Sequence, residues 1–436
     1  MVDPLATLRK VCATVRTGEP ADAVFGAVPA VVACPATVAE ASEVLRAAAG
    51  NNMAILPRGT GTKLTWGTPP ERCDVIVDTT LLDRVIEHAA GDLVVRVQAG
   101  LPMARLASQL ASAGQQLALD APGTVPAGPG QAGNCPAGTA GTVGGVIATG
   151  AAGPRRLRYG TPRDLLIGIT VVLADGTVAS AGGKVVKNVA GYDLGKLFAG
   201  SYGTLGLIAE AAFRLHPLPQ AAAYVTVTCA SAAAAAAAVR AAIESQLMPS
   251  AAEIDRPAPG APVSVCLLLE GTADAITERV TRMRDAVGTG ARAGVDPPDW
   301  WGLSGAGATA LRIAFGPGEL QSVLDAVDEA AAAAPQVLSP AIRGSAGAGV
   351  LEASLDTGPE PDTLASFVTM LRRRLARPPG WGDVPGASVT VVHAPAAARG
   401  AVDVWGPVTA AEVMRAIKDQ FDPGHRMSPG RFAGGI

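Results

Sequence analysis

The residues Pro57-Arg58-Gly59-Thr60-Gly61-Thr62-Lys63-Leu64-Thr65-Trp66-Gly67 decide how this chain is read. Glycines alternate with threonines between two cations, Arg58 and Lys63. Backbone N–H groups without Cβ crowding, with hydroxyls beside them, are suited to wrapping a pyrophosphate. A plain surface turn accounts for the same composition. The stretch has no G-x-x-x-x-G-K-[ST] pattern, and Gly61 is followed by Thr-Lys-Leu-Thr-Trp rather than by a third glycine opening a helix, so neither familiar nucleotide fingerprint applies. Upstream, TVAEASEVLRAAAGN (37–51) has Thr37 and Glu40 at capping-box spacing and predicts a helix ending at Gly50-Asn51-Asn52. MAILP (53–57) then predicts a short strand that delivers the chain into the glycine loop.

Working downstream, VIVD (75–78) and LVVRVQA (93–99) read as strands, and LPMARLASQLASAG (101–114) as a helix with proline at its start. His88 follows a helix-like VIE and reads as a surface residue. Residues 121–153 carry almost no charge and are rich in Gly, Ala, Pro and Thr, ending in TVGGVIATGAAG. A flexible linker has no use for the aliphatics Val143, Val146 and Ile147, so this stretch reads as a loop system pressed against a ligand. LLIGITVVLADGTVASAGG (165–183) reads as a hairpin turning at Asp175-Gly176. Beyond it, glycines 200, 203 and 206 lie near the polar residues Lys187, Asn188 and Asp193, a pattern that lets backbone approach a flat or phosphorylated ligand.

The chain has 436 residues, room for two or three domains at about 150 residues each. A formal charge of −3 provides no basic field for nucleic acid or an anionic membrane surface. Six cysteines without a C-x-x-C pair argue against an iron–sulfur or zinc site built by this chain and fit a reducing cytosol. Asp3, Arg9 and Lys10 interrupt any signal-peptide core. The uncharged run 221–239 begins with the strand-like YVTV and ends as alanine, so it reads as a strand and a helix rather than a membrane span. After His216-Pro217-Leu218-Pro219, strand-like YVTVTC, VSVCLLLE, ALRIAF, GVLEASL and SVTVVHA alternate with helix-like 231–247, 273–287, 318–333 and 361–376. The expected organisation is therefore an α+β protein with a first domain over 1–219, a second α+β domain over 220–410, and a C-terminal helix and tail, 411–436, returning to the first.

PRGTGTKLTWG (57–67), TVGGVIATGAAGPRRLRYG (142–160), KNVAGYDLGKLFAGSYGTLGLIAEAAFRL (187–215) and FDPGHRMSPGR (421–431) occur in this order. Together they resemble the FAD-binding (PCMH-type) domain of the vanillyl-alcohol oxidase family. The G-P-R-R after the glycine stretch most resembles the FAD-binding E-type subunits of bacterial glycolate oxidases. The resemblance implies that Pro57, Arg58, Gly59, Thr60, Gly61 and Thr62 cradle the FAD pyrophosphate. It implies that Thr142, Gly144, Gly145, Ala148, Thr149 and Gly150 line the isoalloxazine and ribityl chain, with Pro122 and Gly123 in another lining turn. Gly203 belongs to the third glycine stretch, and Leu207 and Ile208 match the adenine end. Relatives with covalent flavin carry a histidine in the first loop, where this chain has Thr60 and Thr62, so the FAD is expected to be noncovalent. Cys135-Pro136 is similar to a second attachment point, but its spacing to Thr142 differs. Two departures stand out: the insert PAGPGQAGNCPAG (126–138), and M-S-P-G-R in the tail where relatives have N-P-G, which leaves the contact of Ser428 open.

The resemblance further implies oxidation of a small 2-hydroxy acid such as glycolate, with electrons passed through a catalytic D-type flavin subunit and an iron–sulfur subunit. It places the chain in the cytoplasm, reaching the inner face of the membrane through partners. D-type subunits and D-lactate dehydrogenases carry a motif H-x-G-D-G-N-x-H, and this sequence has nothing like it. Four histidines are present: 88, 216, 393 and 425. His393 and His425 are the candidate bases, against the alternative of satisfied polar groups; His216 reads as structural. Arg155 and Arg156 are placed to grip a carboxylate or phosphate, or are a solvated basic turn. A non-catalytic electron-relay or partner-binding flavin subunit, and a stand-alone oxidoreductase for D-lactate or another alcohol, remain as alternatives.

Overall fold

Thr37 accepts a hydrogen bond from the Glu40 N–H (3.1 Å), and the Glu40 carboxylate reaches back to the Ala36 N–H (2.8 Å). The helix Val38–Gly50 therefore starts at its capping residues. This geometry comes from a computed structural model that describes residues 3–120, 141–183, 193–303, 307–377 and 386–436. The helix covers one face of a four-stranded sheet made of β1 (Val15–Thr17), β2 (Val31–Ala33), β3 (Ile55–Arg58) and β4 (Val75–Asp78), in the order β1-β2-β4-β3. β4 runs parallel to both β2 and β3 and is buried along its whole length, as a parallel strand covered on two sides must be. Val44, Leu45, Ile55 and Val75 form the core between helix and sheet. The glycine loop leaves the carboxyl end of β3, the end of a parallel sheet where ligands bind.

β5 (Val85–Ala89), β6 (Val94–Gln98), β7 (Gln115–Gln116), β8 (Leu166–Val172), β9 (Val178–Gly182), β10 (Leu207–Arg214) and β11 (His216–Pro217) follow. Five of them make an antiparallel sheet in the order β5-β6-β10-β8-β9, and β7 pairs with β11. The β8–β9 hairpin turns at Asp175-Gly176. Two readings are corrected. The VIE stretch before His88 is β5, not helical, and the His88 Nε2 hydrogen-bonds the Gln115 side chain (2.8 Å). The segment TVGGVIATG is a helix, Val143–Thr149, rather than a loop. The Thr142 hydroxyl caps it by accepting from the Gly145 N–H (3.3 Å), and buried Val143, Val146 and Ile147 tie it to the second sheet.

The third sheet is the largest. β12 (Ala221–Cys229), β13 (Ala251–Arg256), β14 (Val263–Gly271), β15 (Arg292–Gly294), β16 (Thr309–Ala314), β17 (Ala341–Ser345), β18 (Val350–Leu355) and β19 (Ser388–His393) are ordered β15-β12-β14-β13-β17-β18-β16-β19, all antiparallel. Helices Ala232–Glu244, Ala273–Val287, Leu320–Ala332 and Pro361–Leu375 cover one face, against Ile254, Leu267, Leu311 and Ile313. Strand side chains alternate, so the opposite face carries the intervening polar residues. Paired register lines up Asp255, Arg343, Glu352 and Arg312 in one row across four strands, with Glu253 opposite Ser345 alongside. This charged face turns toward the first two sheets, where Tyr159 Oη donates to Glu270 (3.1 Å). The architecture is a two-domain α+β protein.

The chain then returns to the first sheet. After the helix Ala411–Phe421, Ile55 N donates to the Arg426 carbonyl (2.7 Å) and Ser428 N donates to the Ile55 carbonyl (2.8 Å). Lys418 and Asp422, both fully buried, fix this return: Lys418 Nζ donates to Asp422 Oδ2 (2.7 Å) and to the carbonyls of Thr204 (2.7 Å) and Met427 (2.9 Å). A buried charge is tolerated only when paired and hydrogen-bonded in this way.

Candidate cofactor and substrate site

An open cleft of about 760 Å³ lies where the first sheet, the second sheet and the C-terminal tail meet. Pro57, Arg58, Gly59, Thr60, Gly61 and Thr62 line one wall. Thr142, Gly144, Gly145, Ala148 and Thr149, from the start and one face of the helix Val143–Thr149, line a second. Gly203, Leu207 and Ile208 line a third. These three stretches, far apart in sequence, are thus brought to one cavity. Gly150 does not face it: it ends the helix with φ +62°. Pro122, Gly123, Cys135, Lys187 and Asn188 lie outside the described residues. Asp193 pairs with Lys196 at the surface (3.2 Å).

Main-chain approach fixes this cleft. A Cβ on Gly59 would stand 2.1 Å from the Thr142 hydroxyl, so the loop rests on the helix cap only with glycine there. Gly203 has φ +74° and follows Tyr202, itself in the left-handed region at φ +55°. Arg58 is held by Asp22 (2.8 Å) and Asp78 (2.8 Å), so its charge already serves the sheet edge. Lys63 also lines the cleft, and burial together with the charge of Arg312 pulls its ammonium down to about 8.

The sequence reading missed Tyr202 and Arg431 and left the contact of Ser428 open; all three line the cleft. Tyr202 stacks edge-on against Trp405, ring centroids 5.0 Å apart. Arg431 Nη2 donates to the carbonyls of Leu64 (3.0 Å) and Trp66 (2.8 Å). Burial pulls the Arg431 guanidinium down to about 10. The Ser428 hydroxyl and Arg431 Nη1 are buried and have no hydrogen-bond partner. The tail motif FDPGHRMSPGR held the signal, but its position depends on the distant Lys418–Asp422 pair.

A second cavity, about 570 Å³, sits between the turn 152–156 and the charged face of the third sheet. Arg156, Glu253, Arg312, Arg343, Ser345 and Glu352 line it. Arg312 also approaches the glycine loop: its guanidinium lies 4.9 Å from the Trp66 ring centroid, and its charge acts on Lys63 and Tyr202, which line the cleft. Arg343 is committed to Asp255 (2.5 Å). Arg156 is pulled down to about 10 by burial and by the like charge of Arg312.

The three candidate catalytic residues reach neither cavity wall. Arg155 is consumed structurally: its Nε (2.7 Å) and Nη2 (2.5 Å) both donate to Asp120 Oδ1, and its Nη1 donates to Gln116 and faces Glu270 at 3.6 Å. This network latches the first domain to β14. His425 is exposed and paired with Asp419 (2.8 Å). His393 ends the edge strand β19, opposite Ala310.

Residues 29–182 match the FAD binding domain family. The protein is an FAD-binding flavoprotein of the vanillyl-alcohol oxidase fold. The glycolate oxidase subunit GlcD of Bacillus subtilis (strain 168) is 34% identical over 196 residues, 45% of this chain and 39% of that protein. The mitochondrial D-lactate dehydrogenase (cytochrome) 1 of Saccharomyces cerevisiae is 33% identical over 203 residues, 46% of this chain and 32% of its own length. The flavoprotein thus spans less than half the length of these curated relatives. In three dimensions it matches a substrate-bound p-cresol methylhydroxylase with a TM-score of 0.67 at 14% identity, covering 98% of this chain and 96% of that one, which shows the shared fold.

The residues present suit FAD. Glycines and threonines line the cleft together with apolar Leu56, Leu207 and Ile208, and two buried polar atoms in its wall, on Ser428 and Arg431, await a partner.

Proposed function

We propose that this flavoprotein is an FAD-dependent oxidoreductase of small 2-hydroxy acids, working as the FAD-binding subunit of a glycolate oxidase-type complex. The observation that carries the reading is the nearness of an arginine-bearing cavity to the glycine-lined cleft at Arg312, which lines the first and whose charge acts on Lys63 and Tyr202 of the second, because it sets an anion-recognising chamber beside the cofactor chamber. Residues 1–219 with the tail 411–436 form the cofactor-holding unit, and 220–410 the substrate-side cap. Pro57 to Thr62 hold the pyrophosphate, helped by Lys63 and Arg431. Thr142, Gly144, Gly145, Ala148 and Thr149 line the flavin, with Gly203 beside them, and Leu207 and Ile208 border the adenine end. Thr60 and Thr62 stand where relatives with covalent flavin carry a histidine, which supports noncovalent attachment. When bound, FAD accepts the hydride that leaves the hydroxyl-bearing carbon. The arginines of the second cavity orient the carboxylate and keep that carbon turned toward the cleft.

Onward electron transfer requires a partner, so the complex includes a D-type flavin subunit and an iron–sulfur subunit, in the cytoplasm or at the inner face of the membrane. No helix among the described residues is long and apolar enough to cross a membrane. The lack of a histidine-rich H-x-G-D-G-N-x-H motif favours a second reading, a relay subunit whose sibling does the chemistry. Anaerobic titration of the purified chain with glycolate, D-lactate and D-2-hydroxyglutarate, followed by visible absorbance, separates the two. Bleaching of the flavin bands by one of the acids supports turnover by this chain. Bleaching only after a D-type subunit is added supports the relay, and a chain that takes up no FAD overturns both.

A further inference from the structure

Glu253 is 5% exposed, and its Oε1 has no hydrogen-bond partner in the second cavity it lines. Its cross-strand neighbour Ser345 is 4% exposed, and the Ser345 side chain beside it favours the ionised carboxylate. Two guanidiniums line the same cavity without an ion pair among the described residues: Arg156, whose Nε bonds only the Gly153 carbonyl (3.2 Å), and Arg312, which rests on Trp66. Unpaired buried acid and unpaired cations in one chamber are costly to maintain without a ligand.

We propose that this cavity is a binding site for a small carboxylate, gripped by Arg156 and Arg312, in which Glu253 takes up a proton as the anion enters. A carboxylate in the cavity neutralises the cations and faces Glu253 with a like charge, so the acid form of Glu253 becomes the favoured one. Protonated, Glu253 donates a hydrogen bond to the ligand. Burial already pushes this carboxyl up to about 7 against the opposing Ser345 hydroxyl and Arg156 charge, with Asp120 adding to the rise. Other groups facing it are Cys266, directly across on β14, and Arg312, Arg343 and Glu352 around the cavity. The identification of the natural ligand as a 2-hydroxy acid rests on the reading above; the anion site does not.

The test uses oxalate, a carboxylate that has no hydrogen to give. It is titrated calorimetrically into the full chain, with and without FAD, in two buffers of different ionisation enthalpy. The account expects saturable binding even without FAD. It expects proton uptake per anion to be small near about pH 6, where Glu253 is already mostly protonated, and to rise toward one near about pH 8. Glu253→Gln keeps binding and loses the uptake, whereas Arg312→Met and Arg156→Met each weaken binding at least about tenfold. Infrared difference spectra with ¹³C-oxalate give a second view in the unaltered chain: a new protonated-carboxyl band that belongs to the protein. The absence of saturable binding, uptake that persists in Glu253→Gln, or full affinity in both arginine variants overturns the proposal. Flavin that fails to bleach while oxalate still binds overturns only the redox reading.

Discussion

The cofactor cleft and the second cavity lie near one another at Arg312, whose charge acts on Lys63 and Tyr202 of the cleft, yet they are built from opposite materials. The cleft is a main-chain construction: three glycine stretches place N–H groups and hydroxyls close together, and side chains such as Tyr202 and Arg431 close the rim. The second cavity is a side-chain construction, in which strand register sets a row of alternating charges, Asp255, Arg343, Glu352 and Arg312, along one face of the third sheet. The cleft suits a ligand whose shape and pyrophosphate are fixed, while the charged face suits recognition that changes by substituting one residue.

Separate damage is the way to break this comparison. The largest effect is expected from Lys418→Met, which strands the fully buried Asp422 carboxylate. It should cost about 3–5 kcal/mol of stability, read as a lower urea midpoint. Ser428 and Arg431 should leave the cleft with the tail, so flavin is lost; an unchanged midpoint would show that the pair does not anchor the tail. Next comes Gly59→Val, whose new side chain must displace Thr142. FAD affinity, measured by fluorescence, should fall about a hundredfold, close to 3 kcal/mol, while oxalate binding survives. Arg312→Met should do the reverse, keeping FAD and weakening carboxylate binding by about 10- to 100-fold. Were both ligands lost together, the two cavities would not be separable.

The smallest effect sharpens the boundary. Lys63, pulled down to about 8 in the free chain, regains its proton when an anionic pyrophosphate sits beside it. FAD affinity should therefore decline as pH rises past about 8, because binding must then take up a proton. Lys63→Met should cost about tenfold in FAD affinity and flatten that decline. A decline of equal slope in the variant would assign it to another group.

The same contrast explains what could be read in advance. Glycine is required where a side chain presses on the backbone, as Thr142 does on Gly59, or where φ is positive, as at Gly203, so the 57–62 loop and Gly203 announce themselves in the linear sequence. The helix Val143–Thr149 did not, because two interior glycines at about 1 kcal/mol each argue against a helix, and only the Thr142 cap and the burial of Val146 and Ile147 outweigh them. Ser428 and Arg431 depend on a tail held by a contact between Lys418 and the Thr204 carbonyl, 214 positions apart. Glu253 was hidden by its own pattern. In AAEIDR, Glu253 and Asp255 alternate with apolar residues, which ordinarily marks a solvent-facing side, and here the first domain covers that side. Arg155 misled for the opposite reason: a basic turn next to glycines looks available for a ligand, and Asp120, Gln116 and Glu270 occupy it.

The central claim is that the two cavities form one active site, with the carboxylate bound against the flavin. The most direct measurement is the visible difference spectrum of the FAD-loaded chain as oxalate is added. The account predicts a saturable perturbation of the flavin bands whose midpoint equals the calorimetric dissociation constant and which disappears in Arg312→Met. Oxalate that binds by heat while leaving the flavin spectrum unmoved would contradict it.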